Sequence, residues 1–251
     1  MTKKPNSVRI ISGKFKSRTI TFPDRSELRP TGNRIREVLF DWLQFEIAKS
    51  RCLDLFAGSG ALGIESLSRG AESATFIESD HKTGLFLQDN LRSLDVTNGF
   101  VYFASAIQWL ERLSHIDPFD IVFLDPPFKH NLLIDCCKLL EKKSMISEGG
   151  FIYIETDNDL SLKALPLSWR LKHERRTGNV SFYLYRRDKK GITDPYNKSI
   201  NARFNFIKKQ ASPMKIFPSR FTWIGLLIEG VPPLWLKNSH FDALQISNQN
   251  V

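Results

Sequence analysis

Cys52-Leu-Asp-Leu-Phe-Ala-Gly-Ser-Gly-Ala-Leu-Gly63 decides the fold class. The apolar run Cys52–Phe56 reads as a short strand, Gly58-Ser-Gly60-Ala-Leu-Gly63 as a glycine turn, and a helical pattern opens near Gly60. By itself G-x-G-x-x-G after a strand and before a helix most often signals a dinucleotide. Asp54 argues against that. It ends the strand beside the turn, where a carboxylate would repel a pyrophosphate in a partly desolvated cleft. A ligand carrying a sulfonium and an ammonium is favoured there instead, which points to S-adenosylmethionine. The glycines still let backbone come close to the ligand.

The same strand-then-helix rhythm extends outward from this segment. Apolar runs recur at Ala74–Ile77, Phe100–Phe103, Ile121–Leu124 and Phe151–Ile154, with helical patterns starting near His81, Ser105 and Asn131. That alternation predicts an α/β fold, a mostly parallel sheet with helices on both faces. After Ile154 the pattern changes. Trp169–Glu174 and Val180–Arg187 flank Thr177-Gly-Asn179 and predict an antiparallel hairpin at the sheet edge. On the other side, Val8–Ser12 and Arg18–Phe22 alternate at strand spacing around a basic turn, a second hairpin. Leu28-Arg-Pro-Thr31 is extended because the residue before a proline avoids the helical region. Thr31 is placed to cap a helix carrying Ile35, Val38, Leu39, Trp42 and Leu43.

Two further strand ends carry chemistry. Glu78 ends the second strand of the series, where an acid accepts hydrogen bonds from ribose hydroxyls. With Asp54, Phe56, Ala57, Gly58, Ser59 and Gly60 it completes the expected cofactor set. Ser105-Ala106, at the third strand end, either meets an adenine or caps the following helix. Asp125-Pro126-Pro127-Phe128 directly follows Ile121–Leu124, at the carboxyl end of a central strand, where open α/β sheets bind ligands. The prolines stiffen the loop and remove two amide donors. The Asp125 carboxylate and a proline carbonyl can then accept both hydrogens of an exocyclic amine, orienting the nitrogen lone pair. Phe128 can stack on the base that owns the amine, after that base has been extruded from any stack.

Composition sets outer bounds. Across 251 residues the net charge is +9, but residues 1–36 hold ten Lys/Arg and two Asp/Glu (+8), residues 37–187 come to −4, and residues 188–251 to +5. A basic extension on a mildly acidic body is a footprint of nucleic-acid binding. No apolar run approaches the ~20 residues of a membrane helix, and the N-terminus does not read as a signal peptide. The expected setting is therefore cytoplasmic. The three cysteines form no C-x-x-C pair, and His81, His115 and His130 lack ligand spacing, so no metal is expected. Three regions follow: a basic hairpin and arm over 1–36, the α/β domain over 37–187, and an extension over 188–251 whose fold the pattern does not determine.

Collected together, the residues resemble the RsmD family of bacterial 16S rRNA guanine-N2 methyltransferases. The resemblance rests on Arg9-Ile-Ile-x-Gly13, Leu28-Arg-Pro-Thr31, Arg34-x-Arg36-Glu37, Leu53–Gly63, Glu65-x-Leu-Ser-Arg69 and Asp125-Pro-Pro-Phe128, and spans residues 8–187. It implies a class I methyltransferase fold acting as a monomer on 16S rRNA within the 30S subunit or an assembly intermediate. It further implies that Arg29, Thr31, Arg34 and Arg36 line the site or meet phosphates. Arg9, Lys14, Lys16 and Arg18 complete the expected RNA-binding set. A DNA adenine-N6 methyltransferase shares the Asp-Pro-Pro-aromatic loop, and a non-catalytic RNA-binding assembly factor would share the scaffold. These are the alternatives.

Overall fold

In the computed structural model, β1 (Asn6–Arg9) and β2 (Thr19–Phe22) pair antiparallel, with Asn6 opposite Phe22 and Arg9 opposite Thr19. Helix α1 (Asn33–Trp42) follows. Then come β3 (Arg51–Asp54), α2 (Ala61–Ser68), β4 (Ser73–Glu78), α3 (His81–Ser93), β5 (Gly99–Phe103) and α4 (Ala106–Arg112). The series ends with β6 (Phe119–Leu124), α5 (His130–Lys142), β7 (Ile146–Asp157), β8 (Trp169–Thr177) and β9 (Val180–Arg187). The structure describes residues 6–24, 31–114, 116–127, 130–157 and 164–188. The chain divides into Met1–Pro195 and Tyr196–Val251, and all of these lie in the first unit. Beyond Asp188, the expected C-terminal extension lies outside the described residues, as do Arg29 and Phe128.

The second sheet has seven strands in the order β5-β4-β3-β6-β7-β9-β8. β3, β4, β5, β6 and β7 pair parallel, while β9 runs antiparallel to both β7 and β8. The hairpin anticipated around Thr177-Gly-Asn179 forms, and Gly178 takes the positive φ of +60° at its turn. It is β8 that occupies the edge. β9 inserts between β8 and the parallel strands. Four of the five apolar runs became inner strands, covered on both faces, while Phe100–Phe103 became the other edge strand, β5, with its aromatics partly exposed. On β6, Ile121 and Phe123 enter the cluster shared with the N-terminal hairpin, α1, α2 and α3, while Val122 and Leu124 enter the opposite one with α4 and α5. This is the fold class that the sequence predicted.

The N-terminal hairpin is fastened to the domain by backbone geometry. Gly13 has φ +82°, and a Cβ there would meet the Ser68 carbonyl oxygen at 1.8 Å. The Lys14 amide donates to that carbonyl at 2.7 Å, and the Phe15 amide to Ser68 Oγ at 2.9 Å. Arg18 donates to the Ser93 carbonyl at 2.7 Å. Towards β2, Asn90 of α3 acts as a peptide group, accepting from the Thr21 amide at 2.9 Å and donating to the Thr21 carbonyl at 2.8 Å. Ser68 and Ser93 are the last residues of α2 and α3. The basic turn therefore sits at the helices' carboxyl ends, about 12 Å along α2 from its glycine turn. Lys14, Lys16 and Arg18, of the expected RNA-binding set, thus lie at the far end of α2 from the glycine turn.

Glu65 joins the three N-terminal pieces. It is fully buried on α2. Its carboxylate accepts from the amides of Ile11 at 2.8 Å and Ser12 at 3.0 Å, and from Arg69 Nε at 2.8 Å. Arg36 Nη1 lies 3.5 Å away. Arg36 itself is only 1% exposed. It donates to the Thr31 carbonyl at 3.2 Å, the Arg9 carbonyl at 2.9 Å and Asn33 Oδ1 at 2.7 Å. A guanidinium so enclosed has no face for a phosphate. Arg36 is structural, a correction to the RNA-binding reading. Thr31 is also corrected as a cap: α1 is preceded by Gly32, without a side-chain cap bond.

Removing one partner from a buried charged pair leaves the other desolvated, at a cost of about 3–5 kcal/mol. Arg36→Ala is expected to lose stability of that order in urea unfolding. A loss below about 1 kcal/mol, the scale of a surface pair, would contradict the enclosed network.

Candidate active site

The strand order reverses direction between β3 and β6. From β3 the chain proceeds outward through β4 to β5, and from β6 outward to β7. The crevice at such a switch point, at the strands' carboxyl ends, is where open α/β sheets hold ligands. β3 and β6 are direct neighbours, with Asp54 opposite Phe123. Asp54 and Asp125 thus end adjacent strands, whose backbones are about 4.8 Å apart. The two loops singled out by sequence face one another across this crevice.

On the β3 side, Gly58 and Gly60 take positive φ, +50° and +78°. A Cβ on Gly60 would also strike Leu87 Cδ1 at 2.3 Å. A Cβ on Gly63 would enter the Phe76 ring at 2.2 Å, so this glycine allows α2 to lie tight on β4. Asp54 Oδ2 accepts the Gly63 amide at 3.1 Å, satisfying one open donor in the first turn of α2. The Asp54 carboxyl is 3% exposed. Burial, with Glu78 nearby, pushes its pKa up to about 7 despite that hydrogen bond. Among the described residues it forms no ion pair with Lys or Arg. Glu78 Oε2 accepts the Gly58 amide at 2.9 Å and Oε1 the Asp80 amide at 2.7 Å. Those bonds shape the glycine turn and leave lone pairs on both oxygens. Its pKa is raised, chiefly by burial. Ala57 and Ser59 are buried and Phe56 is partly exposed beside the turn. Ser105 accepts from the Gln108 amide at 3.4 Å and has extended backbone angles, so it is the cap of α4, with Ala106 buried behind it.

On the β6 side, Thr31 Oγ1 donates to Asp125 Oδ2 at 3.3 Å. The residue expected to cap a helix instead orients the Asp125 carboxylate. Pro126 is buried and Pro127 exposed. The sequence reading missed Glu155 and Tyr153. Glu155 lies on β7, one residue past Ile154, which pairs with Leu124, so it is level with Asp125. Tyr153 donates to Glu155 Oε2 at 2.9 Å. Burial raises Asp125 well above the ordinary carboxylate range, and the negative charge of Glu155 adds to it while the Thr31 hydroxyl opposes. Burial also raises Glu155, opposed by the hydrogen bond from Tyr153 and by the nearby Thr31 hydroxyl. The period-two pattern was the available signal: Tyr153 and Glu155 share one strand face, and an acid there breaks an apolar run at a strand's carboxyl end.

Arg34 is exposed in the first turn of α1, and Arg9 is exposed on β1. Arg9's carbonyl is the group that engages Arg36. Among the described residues, no group of three or more His, Cys, Asp or Glu is placed to hold a metal ion. No described helix is long and apolar enough to cross a membrane.

A family described as conserved hypothetical protein 95 matches residues 8–186. The ribosomal RNA small subunit methyltransferase D of Escherichia coli K12 is 41% identical over 197 residues, covering 76% of this chain and 98% of that protein. Its namesake from Buchnera aphidicola of Baizongia pistaciae is 46% identical over 184 residues, covering 72% of this chain and 93% of that protein. Among solved structures, a putative methyltransferase, yhhF, from Escherichia coli superposes with TM-score 0.68 at 39% identity. It covers 74% of this chain and 100% of that one. With the switch-point crevice, its glycine turn and its Asp-Pro-Pro loop in place, the chain belongs to the ribosomal RNA small subunit methyltransferase D family.

Proposed function

We propose that this protein transfers a methyl group from S-adenosylmethionine to the exocyclic N2 amine of a guanine in 16S rRNA, carried by the 30S subunit or its precursor. The observation that carries this reading is the pairing, across one strand spacing, of a buried unpaired acid on β3 with an Asp-Pro-Pro loop on β6. The β3 side fits the cofactor. Asp54 is an acid in want of a cation, and Glu78 keeps acceptor capacity where a ribose would lie. Bound there, the cofactor supplies an electrophilic methyl on a sulfonium.

The chain's own residues do the rest. Asp54 attracts the cofactor's positive groups while its other oxygen holds α2. Asp125 and the Pro126 carbonyl accept the two hydrogens of the amine and aim its lone pair at the methyl carbon. As the N–C bond forms, the C–S bond breaks and its electrons stay on sulfur. The nitrogen becomes cationic, and negative charge fixed nearby stabilises it. The nitrogen's surplus proton passes to Asp125. With Glu155 beside it, Asp125 is a stronger base than an ordinary carboxylate.

Asp125→Ala is expected to lower methyl transfer to undermethylated 30S particles by at least ~10²-fold, the scale for losing one preorganised polar group. Cofactor affinity by calorimetry should stay within a few-fold of wild type. Offering duplex DNA in parallel separates the adenine alternative, and incorporation into DNA in preference to particles would sink the rRNA reading.

Asp54 gives a pH signature. Its folded pKa of about 7 lies above the ordinary 3.8, so the folded protein without cofactor gains a proton between these values. That contribution to stability is complete below pH 3.8 and is lost as pH rises through 7. Cofactor affinity runs the other way, strengthening as Asp54 ionises. Asp54→Asn keeps the Gly63 bond and should raise the thermal midpoint of the cofactor-free protein at pH 8, while abolishing the pH-dependent part of cofactor binding. An unchanged midpoint together with unchanged affinity would refute the assignment.

Glu155→Gln removes a negative charge facing Asp125. Asp125 should then ionise at lower pH, shifting the acidic limb of the methyl-transfer profile downward. A limb that stays in place would mean Glu155 does not set the basicity of Asp125.

A further inference from the structure

The edge strand β8, Trp169-Arg-Leu-Lys-His-Glu-Arg-Arg-Thr177, is exposed at every position after Trp169. Two of its basic residues have protein partners: Arg170 pairs with Asp188 at 3.0 Å and His173 stacks on Trp42 at 4.9 Å. Lys172, Arg175 and Arg176 form no ion pair with a described residue. Arg176 only reaches back to the Gly178 carbonyl at 3.4 Å. Glu174 is the strand's one acid.

Register places this charge. β8 and β7 are both antiparallel to β9, so they run in the same direction. Arg175 is opposite Phe182, which is opposite Glu155; Arg176 is opposite Ser181, which is opposite Thr156. Arg175 and Arg176 therefore lie at the sheet end that carries the acceptor carboxylates. Two strand spacings separate Arg175 from Glu155, about 10 Å between backbones. Arg175 shares its face with Phe182, whose ring packs on Trp42 at 5.5 Å. On α1, Arg34, Val38 and Trp42 fall at i, i+4 and i+8, one stripe of the helix. Exposed Arg34 thus stands above Trp42, on the side of α1 that meets β9 and β8. The turn lysines Lys14 and Lys16 lie at the opposite end, beside the carboxyl end of α2.

Resting on the rRNA reading above, we propose that the exposed edge of β8 (Lys172, Arg175 and Arg176), together with Arg34, holds the RNA backbone flanking the target guanine. A base drawn into the crevice has a phosphate on each side, and the strand leaving it must cross the rim. Across β9, the exposed charge on β8 is three cations free of ion pairs with described residues, Lys172, Arg175 and Arg176, against the single acid Glu174. Phosphates are the complementary partner. Cations on an edge strand also discourage strand-to-strand association, so the test must separate the two roles.

Two double variants do so: Arg175→Gln with Arg176→Gln, and Lys14→Gln with Lys16→Gln. All four positions are exposed, and unfolding midpoints verify that both variants fold. Binding to undermethylated 30S particles is measured from low to high salt. Each lost phosphate contact flattens the log–log salt slope by about 0.7–0.9, so the β8 pair should flatten it by about 1.5. Its KM for particles should rise about tenfold or more, a larger effect than on kcat. The turn variant should keep the wild-type slope. The inference is overturned if the β8 variant keeps that slope, if the turn variant flattens it as much, or if the β8 variant merely self-associates. Failure of the underlying activity looks different. Wild-type protein would then leave rRNA unmethylated, while the binding slopes still judge the surface.

Discussion

A single buried carboxylate organises the N-terminal third of this protein. Glu65 has no solvent to stabilise its charge, and an ionised carboxylate in such a place persists only when its oxygens are fully engaged. The donors that engage it come from three separate segments: two amides of the hairpin, Arg36 of α1 and Arg69 of its own helix. Neither the hairpin nor α1 is part of the seven-stranded sheet. Apolar contact would hold them loosely in register. The network specifies where each sits, because hydrogen bonds have direction and burial penalises each one that goes unmade.

The crevice uses the opposite arrangement. Asp54, Glu78, Asp125 and Glu155 are acids gathered at adjacent strand ends, and their pKa values are all raised, with burial as the leading cause. Where Glu65 is neutralised by cations, these acids are held short of positive charge. That costs stability in the empty protein and favours a cationic ligand. Strained or frustrated groups of this sort concentrate at functional sites. The contrast between the two acidic environments on one domain separates scaffold from site without reference to sequence similarity.

Most of the fold was legible in the sequence because its signals are local. Apolar runs gave the strands of the parallel sheet, alternation gave the N-terminal hairpin, and Gly58, Gly60 and Gly178 marked turns that positive φ then required. The hairpin over β8 and β9 was also readable, but the insertion of β9 between β7 and β8 was not, since strand order depends on long-range pairing. The site was legible where chemistry follows directly on a strand end, as at Asp54 and Asp125. It was misread where charge stood for function. Arg36 belongs to a strongly basic segment, yet burial beside Glu65 makes it structural. Arg175 and Arg176 belong to a stretch that is net acidic, and only the register brings them level with the crevice. Net charge per segment is blind to which end of a sheet a residue occupies.

Thr31 ties the two environments together. Its carbonyl accepts from Arg36 Nε at 3.2 Å, and its hydroxyl donates to Asp125 at 3.3 Å. The network around Glu65 fixes Arg36, Arg36 fixes the backbone of Thr31, and the Thr31 hydroxyl fixes one oxygen of the Asp125 carboxylate. The Asp125 lone pairs not turned toward Thr31 remain able to accept. Leu28-Arg-Pro-Thr31 and Arg34-x-Arg36-Glu37 look in sequence like two basic motifs suited to phosphates. In the fold, Thr31 and Arg36 belong to one device that carries rigidity from a buried ion pair to the Asp125 carboxylate. The motif's cationic residue holds the scaffold, and its neutral hydroxyl holds an acid at the crevice.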